Sequence, residues 1–565
     1  MHVSQPPLGR RLSPSASSFC NLHPPPSTWF HHYEHSNMRI AGALASLGLC
    51  FARLATADLG NSTVVNTTYG QLQGVEDSNV AGVTVFKGIS FAASTAGDAR
   101  WTAPTPPSSW DGVVVADTFG LVCPQSGASS DAMSEDCLKL NVWTPADTVD
   151  DALPVYVWIY GGRFVGGAGS LPLYDGAGLA AKGVVVVTLN YRMGALGFLA
   201  TTELQGESPN NSTGNYGLLD QIEALKWVQS NIAAFGGDPS RVTIGGQSAG
   251  SSSVYHLVDS PVASGLFHGA IAESGIRFPY DPLIWALATS YRTLQHALDG
   301  GVDYMADHNV STAAELRNLS LDSIMDGNDD NDYYGSSSDA DFNSVPPLFR
   351  PALDGYVMVQ TYLEALETGP ANDVPLLTGN NADESGAATT TNVTVAEYIA
   401  TATTKYGDLV DEYLALYPAS TDEEADNMTN NAARDTSRVS SWLFGNYWAK
   451  TASSPFYTYY WSHAPPGQTA GAYHMSEINY CFNNLYDTDS PWEDEDYALA
   501  DVMSSYWANF IKAGNPNGGD LPYWPASVAS SNTTMHLDVT QEVMEIADVD
   551  QIDLISEYFA AQTPF

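Results

Sequence analysis

The chain has 565 residues, 44% of them hydrophobic and 15% charged, with 21 Lys and Arg against 64 Asp and Glu and a formal net charge of −43. That apolar mass excludes general disorder; that charge excludes a nucleic-acid binder working by phosphate neutralisation and disfavours docking to an anionic membrane surface. Five cysteines, none in a CxxC spacing, are too few for a disulfide scaffold and offer no zinc site.

In chain order, residues 1–37 are rich in Pro, Ser and His and carry no apolar period. They are predicted to be disordered, or to be an extension upstream of a true start at Met38. Residues 38–57, MRIAGALASLGLCFARLATA, combine Arg39, an apolar stretch from Ile40 to Phe51 and the small triplet Ala55-Thr56-Ala57. This is the pattern of a secretory signal cleaved before Asp58. About 12 apolar residues fall short of the roughly 20 that span a bilayer, so no stable membrane anchor is expected.

Residues 58–565 read as a single large domain. Removing Arg10, Arg11, Arg39, Arg53 and Glu34 leaves 17 bases against 63 acids, a charge of −46. Repulsion of that size favours solubility and disfavours strongly anionic substrates. Sequons at Asn61, Asn66, Asn210, Asn211, Asn309, Asn318, Asn392, Asn427 and Asn532 predict N-glycans and an extracellular location. Cys123 and Cys137, in the polar stretch CPQSGASSDAMSEDC, are expected to pair in an oxidising compartment, leaving Cys481 as a buried free thiol.

Several short runs end abruptly at Gly-rich or polar turns: VYVWIY (155–160), VVVVTLNY (184–191), VTIGG (242–246), VPLL (374–377) and PFYTYYW (455–461). The first three are apolar throughout, as strands covered on both faces are. Between the second and third, Leu218, Ile222, Leu225, Val228 and Ile232 step along one helical face. The alternation predicts an α/β domain with a central, mostly parallel sheet flanked by helices, whose ligands lie beyond the carboxyl ends of the strands. The acidic stretch 320–344 reads as an exposed loop.

After VTIGG comes Gly246-Gln247-Ser248-Ala249-Gly250, a G-x-S-x-G spacing. Strand, sharp turn and helix would lift the Ser248 hydroxyl out of the sheet, with small residues letting strand and helix close up. A serine nucleophile needs a base, and the base an orienting acid further along the chain. Glu384, in TGNNADESG, and His474, in GQTAGAYHMSEINY, fit that order, with Asp383 and His463 as competitors. Backbone N–H groups of the turn Gly161-Gly162-Arg163 and of Ala249 can serve as an oxyanion hole. His256 and His268 read as packing residues.

These motifs, with FKGISFA, SEDCLKLNVWTP, NYRMGALGFL, AESG, FRPALDG and YWANFIKAGNPN in the same series, resemble the type-B carboxylesterase/lipase family, and a secreted fungal-type member of it, over nearly all of 58–565. The resemblance implies an α/β-hydrolase fold with insertions after the 242–280 region, and Ser248, His474 and Glu384 as nucleophile, base and acid. It further implies N–H donors from Gly162, Arg163 and Ala249, a Cys123–Cys137 disulfide, a structural ion pair between Arg100 and Glu135, and no metal or organic cofactor.

Three departures from the family bear on substrate. The loop between the paired cysteines has only 13 residues (124–136) and no aromatic, which predicts an open site for soluble or short-to-medium-chain esters. Gln247 stands where the family often has Glu, which argues against a cholinesterase. Arg163 stands where the oxyanion turn often has a third glycine, and so lacks glycine's ease at positive φ. A secreted serine ester hydrolase is the expected function; a long-chain triacylglycerol lipase and an inactive cholinesterase-like adhesion module are the rivals.

Overall fold

The structure is a computed structural model that describes residues 64–287, 289–333, 345–384 and 387–565; the predicted upstream extension and signal segment lie outside the described residues. The runs that are apolar on both faces form the middle of one eleven-stranded sheet. Its strands are β1 (Val75–Glu76), β2 (Thr84–Ser90), β3 (Lys139–Thr144), β4 (Leu153–Ile159), β5 (Val185–Leu189), β6 (Gly237–Gln247), β7 (Gly269–Glu273), β8 (Leu376–Asn381), β9 (Phe456–Trp461), β10 (Thr533–Leu537) and β11 (Glu542–Glu545).

Across the sheet the order is β11-β10-β9-β8-β7-β6-β4-β5-β3-β2-β1. Neighbours from β5 across to β10 are parallel, and antiparallel pairing is confined to the two flanks. Every residue of β5, β7, β8 and β9 is buried, so these strands show no alternation of apolar and polar faces, and the polar residues they carry, Glu273, Thr378, Asn380 and Asn381 among them, are buried too.

Helix α1 (Tyr216–Asn231) buries the predicted stripe, and also Asp220, which pairs with the Arg192 guanidinium at 2.7 and 2.8 Å. Helix α2 (Ala249–Val258) follows β6 after one residue and is buried along its whole length. The predicted insertion lies between β7 and β8, where short helices and a two-stranded pairing of Arg292–Thr293 with Ala352–Leu353 occur. A second insertion, between β8 and β9, carries the long helix α3 (Asp422–Thr451).

The acidic stretch 320–344 is not simply an exposed loop. It begins with a helical turn, Leu321–Ile324, and buries Asn328 and Asp332. Asp332 is drawn inward because Arg350 and Arg292 reach its carboxylate at 2.7 and 3.4 Å and His296 at 3.1 Å. Residues 334–344 of that stretch lie outside the described residues.

Candidate active site

Strand β6 stops at Gln247 and α2 starts at Ala249, so Ser248 alone carries the change of direction, at φ 59° and ψ −124°. A non-glycine residue held there stores about 1–3 kcal/mol. Absent side chains make the turn possible: a methyl group on Gly250 would meet the Ile159 carbonyl oxygen at 2.0 Å, and one on Gly246 would meet the Gly250 backbone at 2.6 Å. Ser248 N–H donates to the Glu273 carbonyl at 2.9 Å, pinning the turn to the end of β7.

The turn after β4 comes against the same point. A methyl group on Gly161 would lie 2.5 Å from the Gln247 carbonyl oxygen, 3.0 Å from Ser248 Cβ and 3.4 Å from Ala249 N. Gly162 then adopts φ 109°, and Arg163 and Phe164 follow at φ 59° and 61°. Arg163 thus does take up the glycine-favouring backbone, at a cost of about 1–2 kcal/mol. The N–H groups of Gly162, Arg163 and Ala249 donate to no acceptor among the described residues, which leaves them available to an oxyanion.

Glu384 and His474 come together from loops beyond β8 and β9. The Glu384 carboxylate accepts from His474 Nδ1 through one oxygen and from Asn381 N at 2.8 Å through the other. Burial alone would push the Glu384 carboxyl up, but the His474 charge and these hydrogen bonds hold it below the ordinary glutamate value. Burial would lower His474, yet Glu384 and, further off, Glu477 raise it above the usual histidine value. The ring is 43% exposed along its side chain, and Gly162 is exposed too, so the arrangement opens to solvent.

The imidazole lies against the residue before Ser248: Gln247 Nε2 is 3.1 Å from Nε2 and 3.3 Å from Nδ1 of His474. Among the described residues the Ser248 hydroxyl has no hydrogen bond as it stands. Contacts of this kind are often long until substrate is bound. The competing residues are occupied elsewhere. Asp383 pairs with Arg434 at 2.5 Å and accepts from Ala472 N at 2.7 Å. His463 is engaged with Asp496 at 2.7 Å and Asp538 at 3.6 Å. His256 is buried, pushed down to about 3 by that burial, and contacts Ser252; His268 is exposed rather than packed.

Three side chains that sequence reasoning passed over complete the frame. Asn381, at the end of β8, donates through Nδ2 to the Tyr473 carbonyl at 2.8 Å and to Glu477 at 2.5 Å, so it joins the acid's loop to the histidine's loop. Glu477 and Glu273 are fully buried, Glu477 within electrostatic reach of both Glu384 and His474, and burial pushes both carboxyls up. Their place in the motif blocks HMSEI and AESG was the available signal, but a buried acid and a solvated one look alike in sequence.

Residues 61–554 match the Carboxylesterase family. The chain belongs to the carboxylesterase family. It is 36% identical over 546 residues to the fumonisin B1 esterase of Sphingopyxis macrogoltabida, covering 92% of this chain and 93% of that one. It is 34% identical to the para-nitrobenzyl esterase of Bacillus subtilis (strain 168), covering 84% and 94%. The solved structure of a PNB esterase superposes with a TM-score of 0.70 at 31% identity, over 88% of this chain and all of the other. The α/β fold with its large, mostly parallel sheet and the assignment as a carboxylic ester hydrolase therefore stand together.

In this carboxylesterase the loop 124–136 is closed by a Cys123–Cys137 disulfide and braced from outside by Arg100, whose guanidinium meets the Glu135 carboxylate at 2.5 and 2.6 Å. Gln125 ties the loop sideways to the turn after β4, accepting from Gly167 N at 2.8 Å and donating to Gly167 O at 2.9 Å. Cys481 is a buried free thiol 3.6 Å from the Glu273 carboxylate.

Proposed function

We propose that the protein is a secreted, glycosylated serine esterase that cleaves soluble or short-to-medium-chain carboxylic esters through an acyl-enzyme. The Ser248 hydroxyl attacks the ester carbonyl while His474 takes its proton. The tetrahedral oxyanion is held by the N–H groups of Gly162, Arg163 and Ala249. His474 then returns the proton to the leaving alcohol, and in the second half activates the water that frees Ser248. Glu384 fixes the tautomer in which Nδ1 carries hydrogen and stabilises the imidazolium.

The observation that carries this reading is the Glu384–His474 pair seated against the strained turn at Ser248, opposite three undirected N–H groups. The short disulfide loop, tied toward Gly167 and without an aromatic, and the exposure of Gly162 and His474 support an open site. Relatives named for fumonisin B1 and p-nitrobenzyl esters agree with a hydrolase of this kind. Exposure of Asn66, Asn210, Asn211, Asn309, Asn318, Asn392 and Asn427 supports glycosylation, and with it export.

Two measurements test the proposal. A fluorophosphonate probe is expected to label the folded protein and not Ser248→Ala; equal labelling of both, or of neither, would leave the adhesion-module reading standing. The rate on tributyrin is expected to follow monomer concentration smoothly across the solubility limit, whereas a sharp rise at emulsion formation would replace this reading by that of an interfacial lipase.

A further inference from the structure

We propose that the Arg163 side chain selects esters bearing a second charge: a carboxylate a few bonds from the scissile carbonyl. The inference rests on the esterase reading above and deepens it, since the residue whose N–H faces the oxyanion also carries this guanidinium.

Arg163 differs from every other described arginine. Each of the others lies in an ion pair with an Asp or Glu. Arg163 has no carboxylate partner among the described residues, in a chain holding 64 acids against 21 bases. Its only polar partners among the described residues are neutral, Asn331 Oδ1 at 3.1 Å and the Val345 carbonyl at 2.8 Å, and both are served by Nη2 alone. Nε and Nη1 have no acceptor among the described residues.

Asp329 and Asp330, just before Asn331, form no ion pair with Arg163, and Asp332, just after it, is bound by Arg292, His296 and Arg350. The charged group that does act on it is another cation, Arg350, which with Arg292 is bound to Asp332. Arg163 thus lies within electrostatic reach of a second guanidinium whose own charge is already matched by Asp332. A half-buried guanidinium keeps its charge and presents a planar fork that fits a carboxylate through two parallel hydrogen bonds. Neutral carbonyls hold the side chain in place without satisfying the charge, which leaves it for a ligand. The protein's overall negative charge repels such a ligand from bulk solution, so selectivity must come from this one short-range contact.

The test compares matched esters by pH-stat. Monoethyl glutarate against ethyl valerate places the carboxylate on the acyl side, and 4-acetoxybutanoate against butyl acetate places it on the alcohol side. The wild type is expected to favour the charged member of one pair in kcat/KM. In Arg163→Gln the charged-to-neutral ratio for that pair is expected to fall roughly ten- to hundred-fold, mainly through KM, with partial recovery in Arg163→Lys. Should Arg163→Gln fail to fold, wild-type inhibition decides: glutarate is expected to compete at lower concentration than glutaramide. The proposal is overturned if the wild type prefers both neutral esters, if the ratio does not move in a folded Arg163→Gln, or if glutarate inhibits no better than glutaramide. Turnover of the neutral esters in those cases leaves the esterase reading intact; no turnover of any ester and no labelling of Ser248 would remove that reading and this one together.

Discussion

Two histidines follow β9 eleven residues apart, each meets a carboxylate, and each is raised above the usual histidine value against the opposing effect of burial. His463 is clamped through both ring nitrogens, by Asp496 at 2.7 Å and Asp538 at 3.6 Å, and only 12% of its side chain is exposed. His474 is held by Glu384 at Nδ1 alone, and among the described residues its Nε2 meets only the Gln247 amide beside the Ser248 turn. A raised histidine is thus no mark of catalysis by itself. What distinguishes the two is whether the second nitrogen is spent on structure or left to a group that substrate can displace.

Substitution should separate the two pairs most strongly in rate. Ser248→Ala and His474→Ala are each expected to lower kcat by roughly 10⁴–10⁶-fold while the fold survives, because residues acting as one unit lose most of their effect singly. Glu384→Gln should cost about 10⁴-fold, since the amide favours the wrong imidazole tautomer. His463→Asn should leave kcat within a few-fold of wild type. Single-turnover kinetics with p-nitrophenyl butyrate measure all four; a loss at His463 matching that at His474 would dissolve the distinction.

How much of this was legible in the sequence follows from what each residue's neighbours impose. Strands β4, β5 and β6 announced themselves because burial on both faces demands continuous apolar runs, and Ser248 because its turn demands Gly246 and Gly250. Glu384 and His474 were legible only as an order along the chain, since nothing local to either marks which loop contact it makes. Asn381 and Glu477 were illegible: each works through a partner about a hundred residues away. The buried role of Asp332 was hidden likewise, because the arginines that draw it inward come from other segments.

The comparison can be sharpened by adding charge to the Glu384–His474 pair. Gln247 is buried, and its Nε2 lies 3.1 Å from His474 Nε2. Gln247→Glu would set a second carboxylate against the ring and stabilise the imidazolium, as Asp538 does for His463. In the proposed mechanism neutral His474 is the base, so kcat/KM of the wild type should rise with pH and level off only above the ordinary histidine value of about 6.5. The variant should carry that midpoint up by about one unit, losing activity at pH 6 and little at pH 9. A pH–rate profile that does not move would mean the Gln247 contact is not kept when the enzyme works.

The smallest expected effect lies at the other pair and is read in stability. His463 is raised in the fold by hydrogen bonds and charge from Asp538 and Asp496, which outweigh its burial. A group raised on folding stabilises fully below its unfolded value and loses that contribution as pH climbs through the folded one. Its partner Asp538 is depressed to about 2, because hydrogen bonds from His463 and Ser462 outweigh burial. That contribution is present above the unfolded value of about 3.9 and fails only as pH falls toward 2. Between those limits, near pH 5–6, His463→Asn should cost roughly 1–3 kcal/mol. Asp496 retains Tyr480 at 2.6 Å and Glu493 N at 2.8 Å, so the cap of the helix Asp494–Ala513 survives the substitution. Denaturant midpoints of the two proteins should therefore lie furthest apart near pH 5–6 and converge by pH 9. A gap that stays constant with pH would assign His463 to packing alone and leave the charge difference between the two histidines without structural consequence.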